Sequence, residues 1–223
     1  MGRMIAIGDI HGCLKTFLKL INEEIGISKD DEIVLLGDLI DRGPYVRELI
    51  DEIIGMQNSG YNIYSLMGNH EWLMLKSMES EKFLEIWINN KGRTTLQSFH
   101  VNDAAHLQSK YLEFFKRMPY FKLTDEFILV HGGLNFDIEN PYEDFDAMVW
   151  KRNDYIDRRK IGNRRLIVGH TPCPINLILA TLNMDRILLD GGCVYKDIRP
   201  GLGNLCAYDL TNNKIYYTGN IDF

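Results

Sequence analysis

Asp38, Asp41 and Arg42 crowd into the stretch Val34-Leu35-Leu36-Gly37-Asp38-Leu39-Ile40-Asp41-Arg42-Gly43, directly after a short apolar run. A carboxylate can hold a cation and a guanidinium can hold an anion. A metal-assisted reaction on a phosphate needs both. The same order of apolar run, glycine and polar group recurs in Ile5-Ala6-Ile7-Gly8-Asp9-Ile10-His11-Gly12 and in Leu66-Met67-Gly68-Asn69-His70-Glu71. It recurs again in Leu129-Val130-His131-Gly132-Gly133 and in Ile167-Val168-Gly169-His170-Thr171. Asp9 and His11 stand two apart at a strand end, so their side chains share a side and can grip one ion. Asp38 can bridge two ions through its two oxygens, and Asn69, His131 and His170 can complete the second. The donors are oxygen and nitrogen with no thiolate, a set that suits manganese, iron or zinc over copper or a structural zinc; two divalent ions are expected, with manganese the first expectation. Two such ions, about 3.5–4 Å apart, can share a bridging hydroxide and polarise a phosphoryl oxygen.

Each of these residues alone has an ordinary structural use. Aspartate forms turns, asparagine after glycine adopts left-handed turns, and an isolated histidine is commonly a hydrogen-bonded structural group. Their shared setting, after an apolar strand and beside a glycine, argues for a common site. His100 and His106 lack that setting and read as surface or packing residues.

The elements that must deliver these groups follow from periodicity. Met4 to Gly8 reads as a strand, Cys13 to Ile25 as an amphipathic helix, and Ile33 to Leu36 as a second strand. Pro44 suits the first turn of a helix running to about Ser59, and Asn62 to Met67 is a third strand. This β-α-β-α-β opening implies a partly parallel sheet, whose carboxyl edge is where ligand-binding loops gather. From Trp72 to about Met118 the pattern is helical, with Phe83, Ile86 and Trp87 as one stripe and Leu107, Tyr111, Phe114, Phe115 and Met118 as another. These aromatics read as core packing. Phe127–Val130, Leu166–Val168, Ile187–Leu189, Leu205–Leu210 and Lys214–Thr218 read as strands, the last two joined by a turn at Thr211-Asn212-Asn213. The expectation is one α/β domain over residues 1–223, a four-layer α/β/β/α sandwich with a helical subdomain at about 72–118.

The chain has 223 residues, enough for one sizeable core. A formal charge of −6 argues against a nucleic-acid partner. The 4 cysteines lie at 13, 173, 193 and 206 without C-x-x-C spacing, as expected for free thiols in a reducing cytoplasm. A strand by Met4 leaves no room for a signal peptide, and no apolar run approaches membrane-spanning length, so no membrane association is expected and the expected location is cytoplasmic.

The five motifs, in this order, resemble the signature of calcineurin-like metallophosphoesterases. The Asp-Arg-Gly ending and the Asn-His-Glu run are similar to the phosphoprotein phosphatase branch, which includes small bacterial and phage Ser/Thr phosphatases and symmetrical diadenosine tetraphosphatases. The resemblance runs from Ile5 to about Tyr195. It implies Asp9, His11 and Asp38 on one metal, and Asp38, Asn69, His131 and His170 on the other. It implies His70 as general acid oriented by Asp41, and Arg42 as the phosphate-binding arginine. Val149-Trp150-Lys151-Arg152 resembles the Trp-x-Arg segment of the phage-type enzymes, which makes Arg152 a second phosphate arginine. Ile187-Leu188-Leu189-Asp190-Gly191-Gly192 departs from the family's Asp-Thr-Gly, and Asp190 is given no catalytic role. The implied function is a dimetal phosphatase attacking phosphomonoesters with a metal-bridging hydroxide, on phosphorylated protein (Ser/Thr or Tyr) or small phosphorylated substrates. The alternatives are a symmetrical dinucleoside polyphosphate hydrolase and a non-catalytic scaffold on the same fold, the latter disfavoured because no ligand is missing.

Overall fold

In a computed structural model, which describes residues 2–223, the chain lays down strand and helix in alternation before turning helical. β1 (Met4–Ile7) leads into α1 (Leu14–Lys19), which continues as a π-helical segment, Leu20–Ile25, and stops at Gly26. β2 (Glu32–Leu35), α2 (Val46–Asn58) and β3 (Asn62–Ser65) follow. α2 buries Val46, Leu49, Ile50, Ile53 and Met56, the single-face spacing that makes a helix amphipathic. The helical stretch comprises α3 (Asn69–Ser77), α4 (Glu81–Asn89), α5 (Arg93–Ser98) and α6 (Ser109–Lys116). The rest supplies β4 (Phe121–Leu123), β5 (Phe127–Val130), α7 (Phe145–Trp150), β6 (Arg165–Val168), α8 (Ile175–Thr181), β7 (Arg186–Leu188), β8 (Asn204–Asp209) and β9 (Lys214–Gly219).

Two mixed sheets result, a five-stranded one in the order β3-β2-β1-β8-β9 and a four-stranded one in the order β4-β5-β6-β7. β1, β2 and β3 run parallel, as do β5, β6 and β7, whereas β8, β9 and β4 are antiparallel additions. Alternation sorts the first sheet's side chains. Ile5, Ile7, Ile33 and Leu35 share one apolar cluster with the buried faces of α1 and α2. Ala6, Val34, Cys206 and Tyr208 face the other way, into a cluster with Ile128, Ile167, Ile187 and Ile178 of α8. This is the α/β/β/α layering expected from the order of elements.

The sequence reading contains no strand at β4 and no helices at α7 and α8. β4 has only 3 residues, none buried, so alternation leaves little trace. α7 and α8 have 6 and 7 residues, too short to establish a helical period. Among the described residues no helix is long and apolar enough to cross a membrane.

Candidate metal centre

All the parallel strands end at one place. β1 gives way to Asp9 and His11, β2 to Asp38, β3 to Asn69 and His70, β5 to His131, β6 to His170 and β7 to Asp190. Asp9, His11, Asp38, Asn69, His70, His131 and His170 are all buried there. Asp38 stands in the middle. Its Oδ2 faces His11 Nε2 at 3.6 Å and His70 Nε2 at 3.9 Å, while its Oδ1 lies 3.4 Å from His131 Nε2. His11, Asp38 and His70 form one group with ligand-like spacing, and Asp38, His131 and His170 form another.

The hydrogen-bond pattern tests whether cations fit. His131 Nδ1 donates to the Leu36 carbonyl at 2.9 Å, which leaves the Nε2 lone pair facing Asn69 Oδ1 at 3.0 Å as well as Asp38. No proton lies between that lone pair and either oxygen, the situation a cation relieves. His11 Nδ1 likewise donates to the Ile40 carbonyl at 2.7 Å and directs its Nε2 into the site, where Arg42 Nη1 lies against it. Such second-nitrogen bonds are how metal-ligating imidazoles are oriented. His70 Nε2 and His170 Nε2 are buried with no hydrogen-bond partner among the described residues. The donor set therefore fits hard to borderline divalent ions.

Electrostatics point the same way. Burial lowers the pKa of His131, and pushes His170 down to about 3 with help from His131. Burial, then the Arg42 charge, holds His11 well below its ordinary value. Lowered pKa values favour the neutral form of these rings, which offers a lone pair to an ion. Burial opposes ionisation of Asp38, but His131, His70, His11 and Arg42 together outweigh it and hold its carboxyl well below the usual range. His70 behaves differently. Burial disfavours its charged form, yet Asp38 and the hydrogen bond to Asp41 overcome it, and its pKa is raised.

His70 and Asp41 form a buried dyad, with Nδ1 to Oδ2 at 2.6 Å. Asp41 is itself held by Trp87 Nε1 at 2.8 Å and by the Thr95 hydroxyl. Gly92 turns directly beneath Trp87, where a Cβ would meet the indole ring at 2.6 Å. The stripe that reads in sequence as packing thus contains a tether to the dyad.

The loops that carry these groups are strained. His11, Asp38, Asp41, Arg42 and His170 all have positive φ, at 47°, 50°, 68°, 68° and 64°. Each such residue costs roughly 1–3 kcal/mol and persists only where its surroundings over-determine it. Glu71 supplies much of that restraint. Its carboxylate accepts the main-chain N–H groups of Asp38 at 2.9 Å, Leu39 at 2.7 Å, Ile40 at 3.2 Å and Gly68 at 3.2 Å. Gly68 is required because a Cβ there would collide with Asp38.

Asp9 also reaches the loop of the second sheet. It lies outside both ligand-spaced groups, and its oxygens accept the His170 N–H at 3.2 and 3.0 Å. Burial, with Asp190 next, pushes its pKa well up, and Asp190 is itself raised to about 7, chiefly by burial. Asp190 Oδ1 accepts the Gly192 N–H at 2.8 Å. Its setting, an apolar strand followed by Asp and Gly, is the pattern that singled out the other site residues and could have singled out Asp190. Arg42 is half-buried at the rim, and Arg152 is exposed with Nε donating to the Thr171 hydroxyl at 3.1 Å.

Comparison with known proteins gives a consistent picture. The family model described as calcineurin-like phosphoesterase matches residues 2–220. Shewanella-like protein phosphatase 1 of Plasmodium berghei is 26% identical over 86% of this chain and 67% of its own length. A symmetrical bis(5'-nucleosyl)-tetraphosphatase of Nitrosomonas europaea is 32% identical over 60% of this chain, which spans only 46% of that protein. Among solved structures, the cold-active protein-tyrosine phosphatase of a psychrophilic Shewanella superposes with a TM-score of 0.63 at 16% identity, covering 100% of this chain and 79% of that one.

Proposed function

Since the chain belongs to the calcineurin-like phosphoesterase family, and is thus a metal-dependent phosphoester hydrolase, we propose that it is a dimetal phosphatase of phosphomonoesters, acting first on phosphoprotein side chains. The observation that carries this reading is the placing of the Asp38 carboxylate between the Nε2 atoms of His11 and His131, with the His70–Asp41 dyad behind it and Arg42 at its rim. Asp9, His11, Asp38, Asn69, His131 and His170 would hold two divalent ions. Manganese suits this set, and iron and zinc also fit. When bound, such ions lower the pKa of water and polarise the phosphoryl oxygen.

The chain's own groups do the rest. Arg42, and Arg152 from the opposite side of the sequence, neutralise phosphoryl oxygens. His70 donates through Nδ1 to Asp41, and in the imidazolium form its Nε2 carries a second proton, the one delivered to the leaving oxygen. Asp41 keeps the imidazolium charged and oriented. Trp87 and Thr95 keep Asp41 oriented in turn.

A second reading, hydrolysis of dinucleoside polyphosphates, is favoured by one observation. A cavity of about 420 Å³ opens beside Arg42 with cationic and aromatic walls. The test is phosphate release by metal-stripped protein re-supplied with manganese, on a phosphoserine peptide, a phosphotyrosine peptide and diadenosine tetraphosphate. Turnover of a phosphopeptide is the expected result. Turnover of the dinucleotide alone would move the chain to the second reading. Silence on all three with metal bound would refute both.

A further inference from the structure

The cavity beside Arg42 has an unusual charge balance for a chain of formal charge −6. Arg42, Lys91 and Arg199 line it, and no aspartate or glutamate does. Among the described residues none of these cations is ion-paired with an Asp or Glu side chain, although ion pairs occur elsewhere on the surface. Arg199 and Arg42 both approach the Tyr195 ring, with guanidinium carbons 4.6 Å and 5.4 Å from its centroid. Like charges gathered at one aromatic ring repel each other and are stabilised by an anion set among them. The outer wall is apolar, with Ile198 70% and Phe223 59% exposed. Arg42 joins this cavity to the metal centre, because the same guanidinium lies against His11 Nε2.

We propose that this cavity is a specificity subsite for a second anionic group on the substrate, carried near the scissile phosphate and gripped by Arg199 and Lys91. The substrate's flat or apolar portion rests on Tyr195, Ile198 and Phe223. The inference rests on the phosphoesterase reading of the adjacent centre and deepens it. Two sources share the required chemistry: a further phosphate of a nucleoside polyphosphate, and an acidic side chain beside a phosphorylated residue in a peptide.

The experiment compares wild type with Arg199→Ala and Arg199→Lys in the manganese-loaded protein. The substrates are para-nitrophenyl phosphate, a phosphoserine peptide with neutral flanks, the same peptide with acidic flanks, and diadenosine tetraphosphate. Arg199→Ala is expected to lower the kcat/KM ratio of a two-anion substrate over para-nitrophenyl phosphate by about ten- to hundredfold, the range for losing a hydrogen bond to a charged group. The loss falls on KM, and Arg199→Lys restores most of it. A loss confined to the dinucleotide identifies the polyphosphate as the source, and one confined to the acidic peptide identifies the side chain. An unchanged ratio, or a loss that Lys does not restore, overturns the subsite while wild-type hydrolysis of the nitrophenyl ester keeps the phosphatase reading. A wild type inactive on every substrate refutes that reading and this inference with it.

Discussion

His70 faces two ways. Its Nδ1 is committed to Asp41, and its buried, unpartnered Nε2 lies 3.9 Å from Asp38, where either a proton or a cation could occupy it. An acid role and a ligand role separate in the His70→Asn variant. We expect turnover of esters with poor leaving groups to fall about 10²–10⁴-fold, good leaving groups to suffer much less, and both metal ions to stay bound. A matching loss for all leaving groups, or loss of metal, would assign Nε2 to the cation. Glu71 is the residue the sequence hid best. It stands inside a recognised motif, but its work is to accept three main-chain N–H groups from the distant loop of Asp38 to Ile40, besides that of nearby Gly68, which no spacing rule reveals. Glu71→Gln removes an acceptor oxygen and sets an amide against those donors. Its unfolding free energy should drop by about 1–3 kcal/mol with weaker metal retention. Denaturant melts alongside metal analysis would check this, and unchanged stability would show that the strained loop holds itself.

Among the elements, α4 and α5 connect to the chemistry through single side chains. Trp87 was legible as a hydrophobic stripe residue because helical periodicity reports which face is buried. Its indole N–H to Asp41 was not, because periodicity is blind to what a polar atom meets across the fold. Trp87→Phe keeps the ring's bulk and deletes that donor. Slower hydrolysis of poor-leaving-group esters at normal metal content is expected, and a leaving-group series identical to wild type would show that the tether is dispensable. At the other end of the sheet, Arg3 and Asp31 clamp β1 to the entry of β2. The Asp31 carboxylate accepts from Arg3 Nη2 at 2.7 Å, from Arg3 N at 2.9 Å and from Ser28 N at 2.8 Å. The Arg3 side-chain bond leads the effects that hold its carboxyl far below the usual range. For a depressed carboxyl, the stability gained is present above the unfolded value, about 3.9, and is lost as pH falls below it. Asp31→Asn should therefore cost about 1–3 kcal/mol at pH 7, with the gap to wild type closing below about pH 4. A gap independent of pH would mean that shape, and not charge, makes the clamp.

At the scale of the molecule, the centre joins two sheets. Asp9, His11, Asp38 and Asn69 follow strands of one, and His131 and His170 follow strands of the other. This much was legible, because buried parallel strands read as short apolar runs and their polar endings as a shared edge. Asp9's engagement by the His170 N–H and by Asp190 was not legible, since it depends on how closely the two sheets' loops approach. Binding of ions across that seam should tie the sheets together, so chelation is expected to lower the melting temperature and re-addition to restore it. A melting temperature indifferent to chelator would mean the seam holds without ions. The most direct measurement is the metal content per chain of wild type and Asp38→Asn, taken on the same samples as phosphate release. Close to two ions per wild-type chain are expected, and in Asp38→Asn a loss of metal together with activity. Near-normal turnover with both ions retained in Asp38→Asn would contradict the dimetal reading.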